Sequence, residues 1–148
     1  MPKIDIAAAP RRDGTGYPPP YDAPCRQRSR SRLGEAAGLT RFGVNLLRLP
    51  AGQWSSQRHW HEGEDEFVMV LEGEVVLVEE DGEQTLGPGD CAGFAAGRPN
   101  GHHLLNRSGR EAVLLEVGSR PAGPCRYPDI DLDIPPAGGF HRKDGTSY

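Results

Sequence analysis

Gln57-Arg58-His59-Trp60-His61-Glu62-Gly63-Glu64-Asp65-Glu66 is the stretch on which the reading of this chain turns. Successive side chains on a strand point to opposite faces, so His59 and His61 project together from a strand predicted over residues 54–61. Gly63 permits a tight reversal. Glu66 then opens a second strand, Glu66-Phe67-Val68-Met69-Val70-Leu71, which runs to Gly73. Antiparallel pairing of the two strands brings the Glu66 carboxylate back beside the two imidazoles. Two histidines and one carboxylate on one side of a cavity suit a divalent ion of the Fe(II), Mn(II) or Zn(II) kind.

Outward from this stretch the same texture repeats. Short apolar segments are cut by Pro50-Ala51-Gly52, Gly63, Gly73, Asp81-Gly82, Gly87-Pro88-Gly89-Asp90, Gly97 to Gly101 and Ser108-Gly109. Strands are predicted near 40–49, 54–61, 66–71, 74–80, 83–86, 91–95, 102–106 and 111–117, a spacing that produces an antiparallel sandwich or barrel. The 148 residues, with 20 glycines and 14 prolines, allow one domain with a real core and favour short strands over long helices. Residues 39–118 are expected to form the barrel. Residues 1–38, rich in Pro, Gly, Arg and Ala, read as an extended N-terminal arm with little regular structure. Residues 119–148 read as a C-terminal arm packed on the barrel. Arg26, Arg28, Arg30 and Arg32 alternate with small polar residues and are expected on a solvated edge.

Composition narrows the partners. A net charge of −4 gives no general attraction to nucleic acid or anionic lipid. No apolar run reaches the roughly 20 residues that span a bilayer, and no apolar signal segment precedes the arm. The expectation is a cytoplasmic protein with a small-molecule ligand and neither nucleic acid nor membrane as partner. Cys25, Cys91 and Cys125 are odd in number and far apart, so reduced thiols are expected.

Four of the five histidines lie in two places, and the second pair is His102-His103. A closed barrel brings remote strands around one interior, so this pair can supply a fourth ligand. His102, Leu104 and Asn106 share one face, and His103, Leu105 and Arg107 the other. Arg107 is costly to bury unpaired, which turns its face outward and favours His102 as the inward residue, with His103 as the alternative. Glu66 is favoured over Glu64 by its step of seven to Gly73. Two blander readings stand beside this one: surface histidines beside a solvated acidic turn, and an ion that only holds the barrel together. Gln57 continues the alternation of His59 and His61, and Arg48 lies on the strand 40–49; both are expected substrate-binding residues. Both faces of strand 66–71 are apolar, so its outer face needs cover from the arm or from a second subunit, and a homodimer is expected.

Gly52, His59-Trp60-His61, Glu66 and Gly73, followed by Gly82, Gly89-Asp90, Pro99-Asn100-Gly101-His102 and Asn106, resemble the two cupin motifs. The step from Gly52 to His59 is one residue longer than the usual form. The resemblance implies a double-stranded β-helix, a jelly-roll barrel of six to eight strands, with one divalent ion (Mn, Fe, Zn or Ni) inside near one end. It carries His59, His61, Glu66 and His102 as ligands. Phe42-Gly43-Val44-Asn45-Leu46, Ser55 to His61, Gly101-His102-His103 and Tyr127-Pro128-Asp129-Ile130-Asp131 further resemble a group of single-domain bacterial cupins, some called sugar-phosphate isomerases by analogy. The expected function is an isomerase-like or dioxygenase-like enzyme acting on a small polar molecule. The alternative is a non-catalytic small-molecule-binding cupin with a structural metal.

Overall fold

The pleat of the longest strand decides which face is inside. In Phe42–Leu49 the side chains of Leu47 and Leu49 are fully buried while Phe42 and Arg48 are exposed, so Gly43, Asn45, Leu47 and Leu49 look inward. The computed structural model describes residues 3–120 and 123–148. Twelve strands are present among them: β1 (Arg11–Asp13), β2 (Ser29–Arg32), β3 (Phe42–Leu49), β4 (Trp60–His61), β5 (Glu66–Glu72), β6 (Val75–Glu79), β7 (Gly82–Leu86), β8 (Cys91–Phe94), β9 (His103–Leu105), β10 (Ala112–Ser119), β11 (Cys125–Arg126) and β12 (Asp133–Ile134). One short α-helix, α1 (Leu33–Ala36), packs on β3.

The fold is an all-β jelly roll of antiparallel strands. One sheet runs β1-β2-β3-β10-β5-β8, a second β7-β6-β9, and a third, small one β12-β11-β4. The inward residues of the first two sheets meet in one core: Leu47, Leu49, Val68, Val70 and Leu114 against Val75, Leu77, Leu86 and Leu104. Full burial of each such side chain is worth about 1.5–3 kcal/mol, which is what holds the sheets face to face. The chain turns from β5 to β6 at Gly73, whose φ of 78° is natural only to glycine, and a Cβ there would stand 2.8 Å from the Ala112 Cα.

Two expectations about regular structure need correction. The N-terminal segment, expected to hold little regular structure, adds two strands to the sheet: β2 pairs along β3 from Ser29↔Arg48 to Arg32↔Asn45, and β1 pairs with β2. The strand expected over 54–61 pairs with β11 instead of the expected strand 66–71, which lies between β10 and β8, and it is regular only at Trp60–His61, with isolated bridges at Trp54↔Leu105 and His59↔His102. The reason is local. The Leu104 N–H donates to the Ser55 hydroxyl at 3.0 Å, so a side chain replaces a ladder carbonyl and interrupts the pairing.

The C-terminal segment closes over one end. β11 pairs with β4 in the register Cys125↔His61, and Cys125, Tyr127 and Leu132 form a second buried cluster with Tyr17, Tyr21 and Phe140. Both terminal segments therefore share a core beside the histidines. No helix among the described residues is long and apolar enough to cross a membrane.

Candidate metal centre

Three strand contacts assemble the histidines. His59 and His102 face each other as a bridge pair that exchanges both backbone hydrogen bonds, at 3.1 and 2.9 Å, so their side chains leave on the same side. His61 lies two residues on from His59, with its ring centroid 4.9 Å away. Glu66 opens β5 opposite Gly118 of β10, and its inward parity is shared with Val68 and Val70.

The donors converge on one carboxylate oxygen. Glu66 Oε2 is 2.9 Å from His102 Nε2, 3.5 Å from His61 Nε2 and 3.8 Å from His59 Nε2. Ligands about 2.0–2.2 Å from a common ion stand roughly 3–3.5 Å from one another, so these gaps are those of neighbouring ligands. The donor atoms of His59, Glu66 and His102 all lie within 4.8 Å of one another. The His59 Nδ1–H donates to the Gln57 carbonyl at 2.8 Å, which fixes the tautomer and leaves the Nε2 lone pair facing the cluster. Burial pushes His59 down to about 3 against the attraction of Glu66, so its ring is neutral and able to ligate. Burial favours a neutral Glu66, yet the hydrogen bonds from His102 and His61 win and hold its carboxyl far below the usual range. Burial likewise opposes a charge on His61, but Glu66 and Glu64 hold its proton affinity above the usual value. His61 Nδ1 is buried without a hydrogen-bond partner among the described residues. Three imidazoles and one ionised carboxylate, aimed at a common point, are a donor set that fits a divalent ion.

His103 lies elsewhere. Its Nδ1 is 3.1 Å from the Ser56 carbonyl oxygen, and its ring meets Trp54 edge-on at 5.1 Å between centroids. Arg107, whose cost of burial separated the two histidines in the sequence, is at the surface with its guanidinium forked onto Glu83 at 2.6 and 2.7 Å.

Neither of the two expected substrate-binding residues reaches the cavity. Arg48 shares a face with Phe42, Val44 and Leu46, as its position predicts, but that face is the outer one, and its guanidinium pairs with Glu111 at 3.0 Å. The Gln57 side chain is buried with its amide donating to the Tyr21 carbonyl at 2.7 Å, where it ties down the N-terminal segment. Its contribution to the centre is the backbone carbonyl that orients His59.

Beside the expected ligands, residues that the sequence did not point to as site residues line the space. An open cavity of about 800 Å³ borders Arg30, Asn45, Glu66, Val68 and Glu116, and an inner space of about 180 Å³ continues past Arg30, Glu66 and Glu116 to His59 and His102. The expected solvated edge of arginines is thus overturned at two positions. Arg28 is buried 5.7 Å from the Tyr17 ring centroid, and Arg30 reaches under the sheet to grip Glu116 through Nε at 2.6 Å and Nη2 at 2.8 Å. Glu116 has the inward parity of Ala112 and Leu114. An acidic residue at that place in an apolar strand was the signal available in the sequence. Phe94 stacks on His102 with 3.5 Å between centroids and 3° between planes, fixing that ring. Cys125 Sγ lies within 4.8 Å of nitrogens of His59 and His61, but burial pushes its thiol up to about 12.

The comparisons with known proteins agree with this fold. A cupin domain model matches residues 45–118. A crystal structure of a cupin-superfamily sugar phosphate isomerase from Silicibacter pomeroyi is 47% identical over 99% of this chain and 96% of that one, with a TM-score of 0.92. A proposed sugar phosphate isomerase from Acidithiobacillus ferrooxidans is 29% identical over 78% and 74%, with a TM-score of 0.72. The polyketide cyclase of Streptomyces resistomycificus, 20% identical over 88% and 87% with a TM-score of 0.72, shares the fold. No protein in the curated comparison matches.

Proposed function

Since the chain belongs to the cupin superfamily, we propose that it is a metal-dependent enzyme acting on a small polar molecule, with one divalent ion (Mn, Fe, Zn or Ni) held by His59, His61, Glu66 and His102. The observation that carries this reading is the approach of three imidazole nitrogens to one carboxylate oxygen, within 3.8 Å, on the wall of an open cavity. Isomerisation of a sugar phosphate is the reaction we favour, because the relative at 47% identity is described as a sugar phosphate isomerase. An ion in this position supplies Lewis-acid polarisation of a substrate oxygen.

The chain's own residues do the rest. Glu116 presents a carboxylate to the same cavity, and Arg30 holds both of its oxygens, so it stands oriented to accept a hydrogen bond from a substrate hydroxyl. Asn45 borders the cavity with an amide that can donate and accept. Val68, Phe94 and Leu104 give the inner wall an apolar surface beside the centre.

The test is metal content on protein purified without added metal, followed by turnover on sugar phosphates with and without oxygen. About one ion per chain is expected, lost in His102→Ala and kept in His103→Ala. Turnover without oxygen supports the isomerase. Iron-dependent oxygen uptake makes the protein an oxygenase. Neither activity, together with tight ligand binding, makes it a binding module.

We also infer that a second copy covers the outer face of the large sheet. Val44, Val117 and Phe67 form one cross-strand row there and Leu46, Leu115 and Met69 a second, while Phe67 and Leu71 remain 40% and 41% exposed. Light scattering that finds only monomer removes this inference.

A further inference from the structure

Beyond the metal ligands, two like charges face each other where the large sheet opens. β3 and β10 pair as far as Phe42↔Ser119, and the next step brings Arg41 and Arg120 together: the Arg120 N–H donates to the Arg41 carbonyl at 3.0 Å. Arg41 continues the inward parity of Gly43 and Asn45, and Arg120 that of Glu116 and Gly118. The Arg120 side chain confirms its parity. A Cβ at Gly43 would lie 3.3 Å from Arg120 Nη2, so the guanidinium rests on the inner face of the sheet in space that glycine leaves open. Both arginines border the same cavity of about 800 Å³ as Glu66 and Glu116.

Like charges at directly opposed cross-strand positions destabilise a sheet. Every other cavity-facing charge on this wall has an answer: Arg30 pairs with Glu116, and Glu66 lies among histidines. Among the described residues neither Arg41 nor Arg120 forms an ion pair within 4.0 Å. The nearby acid is Glu64, whose carboxylate lies over Gly118 with Oε2 3.6 Å from His61 Nδ1. Arg120 sits two residues beyond Gly118, the register partner of Glu66, which is about 7 Å along the strand. A small substrate reaching the ion can span that interval.

We propose that Arg41 and Arg120 form an oxyanion subsite that binds the phosphate or carboxylate end of the substrate, while its reacting end lies at Glu66 and the histidines. Two guanidinium forks on one face match the several oxygens of a phosphate better than a single charge does. The proposal rests on the metal-enzyme reading for the role of the subsite, and on the arginine pair alone for its existence.

Calorimetric titration of the as-purified protein at low salt with inorganic phosphate tests it, with acetate as a second arm. Phosphate is expected to bind. Arg41→Gln and Arg120→Gln are each expected to weaken it about tenfold or more, and Arg120→Lys less than Arg120→Gln. Arg48→Gln, on the outer face, is expected to leave binding unchanged. Acetate binding as tight as phosphate, with the same losses, assigns the subsite to carboxylates; weaker acetate binding assigns it to phosphates. Metal content is measured in every sample. Phosphate binding that is absent at about 10 mM, or equal in wild type and both glutamine variants, overturns the proposal even where the metal is present. Absence of metal with arginine-dependent phosphate binding intact instead overturns the enzyme reading and leaves the subsite standing.

Discussion

Glu116→Gln should destabilise the protein by about 2–3 kcal/mol, because it strands the Arg30 guanidinium inside the barrel. The two side chains are only 21% and 18% exposed, and two charge-assisted hydrogen bonds of 2.6 and 2.8 Å join them. Removing one partner of a fully buried pair costs roughly 3–5 kcal/mol. Two features lower that figure here. The glutamine oxygen still accepts one hydrogen bond, and the Ser55 carbonyl already accepts a bond from Arg30 Nη2 at 3.2 Å. The assay is urea unfolding at pH 7, where about 2–3 kcal/mol moves the midpoint down by roughly 1–2 M with an unchanged slope. The double variant Arg30→Met, Glu116→Leu removes both charges and should return to within about 1 kcal/mol of wild type, giving a large favourable coupling in the cycle. A cost below about 1 kcal/mol for Glu116→Gln, or a double variant worse than the sum of its parts, would refute the view that this pair is a desolvated unit.

Three further outcomes are expected. Asn106→Ala should cost about 2–3 kcal/mol by thermal unfolding, since the buried amide donates to the Leu49 and Arg110 carbonyls at 2.7 and 2.8 Å and both acceptors would be left without it. Phe94→Ala should keep the fold but lower metal affinity about tenfold in a chelator competition, because the ring that fixes His102 is removed. Hydrogen bonds from Arg58, at 2.6 and 2.7 Å, hold the Asp129 carboxyl below its usual range. A carboxyl lowered in the folded state contributes stability above its unfolded pKa of about 3.9, and that stability is lost as pH falls through the folded value. Asp129 is half exposed, so the contribution is under about 1 kcal/mol. Asp129→Asn should therefore lower stability at pH 7 slightly, and the gap to wild type should narrow as pH falls below about 4; a gap that does not shrink at all as the pH is lowered contradicts the assignment.

What could be foreseen and what could not divide along one physical line. Where relations are local, the pleat suffices: the period of two puts His59 and His61 on one side. Glu66 does not reach them by the expected pairing of strands 54–61 and 66–71, because β4 pairs with β11 and β5 with β10 and β8, and barrel closure sets Glu66 beside the imidazoles. Arg107 lies at the surface, yet His103 and Leu105 on its face are buried, so alternation did not turn that whole face to solvent. Alternation states which residues share a face but leaves open which face is inside. Alternation puts Arg48 on one face with Val44 and Leu46, and packing of Leu47 and Leu49 into the core turns that face outward, away from the cavity. Gln57 shares the strand direction of the histidines, yet the Tyr21 carbonyl of the N-terminal segment captures its amide.

The sequence by itself determined the antiparallel all-β class and the shared face of His59 and His61, because both follow from spacing within a few residues. Tertiary structure alone decided that Arg30 meets Glu116 across 86 positions, that Arg41 opposes Arg120, and that the terminal segments seal the histidine end. Those contacts depend on strand register and barrel closure. Both are set by burying the whole core at once, and no short stretch of residues contains that information.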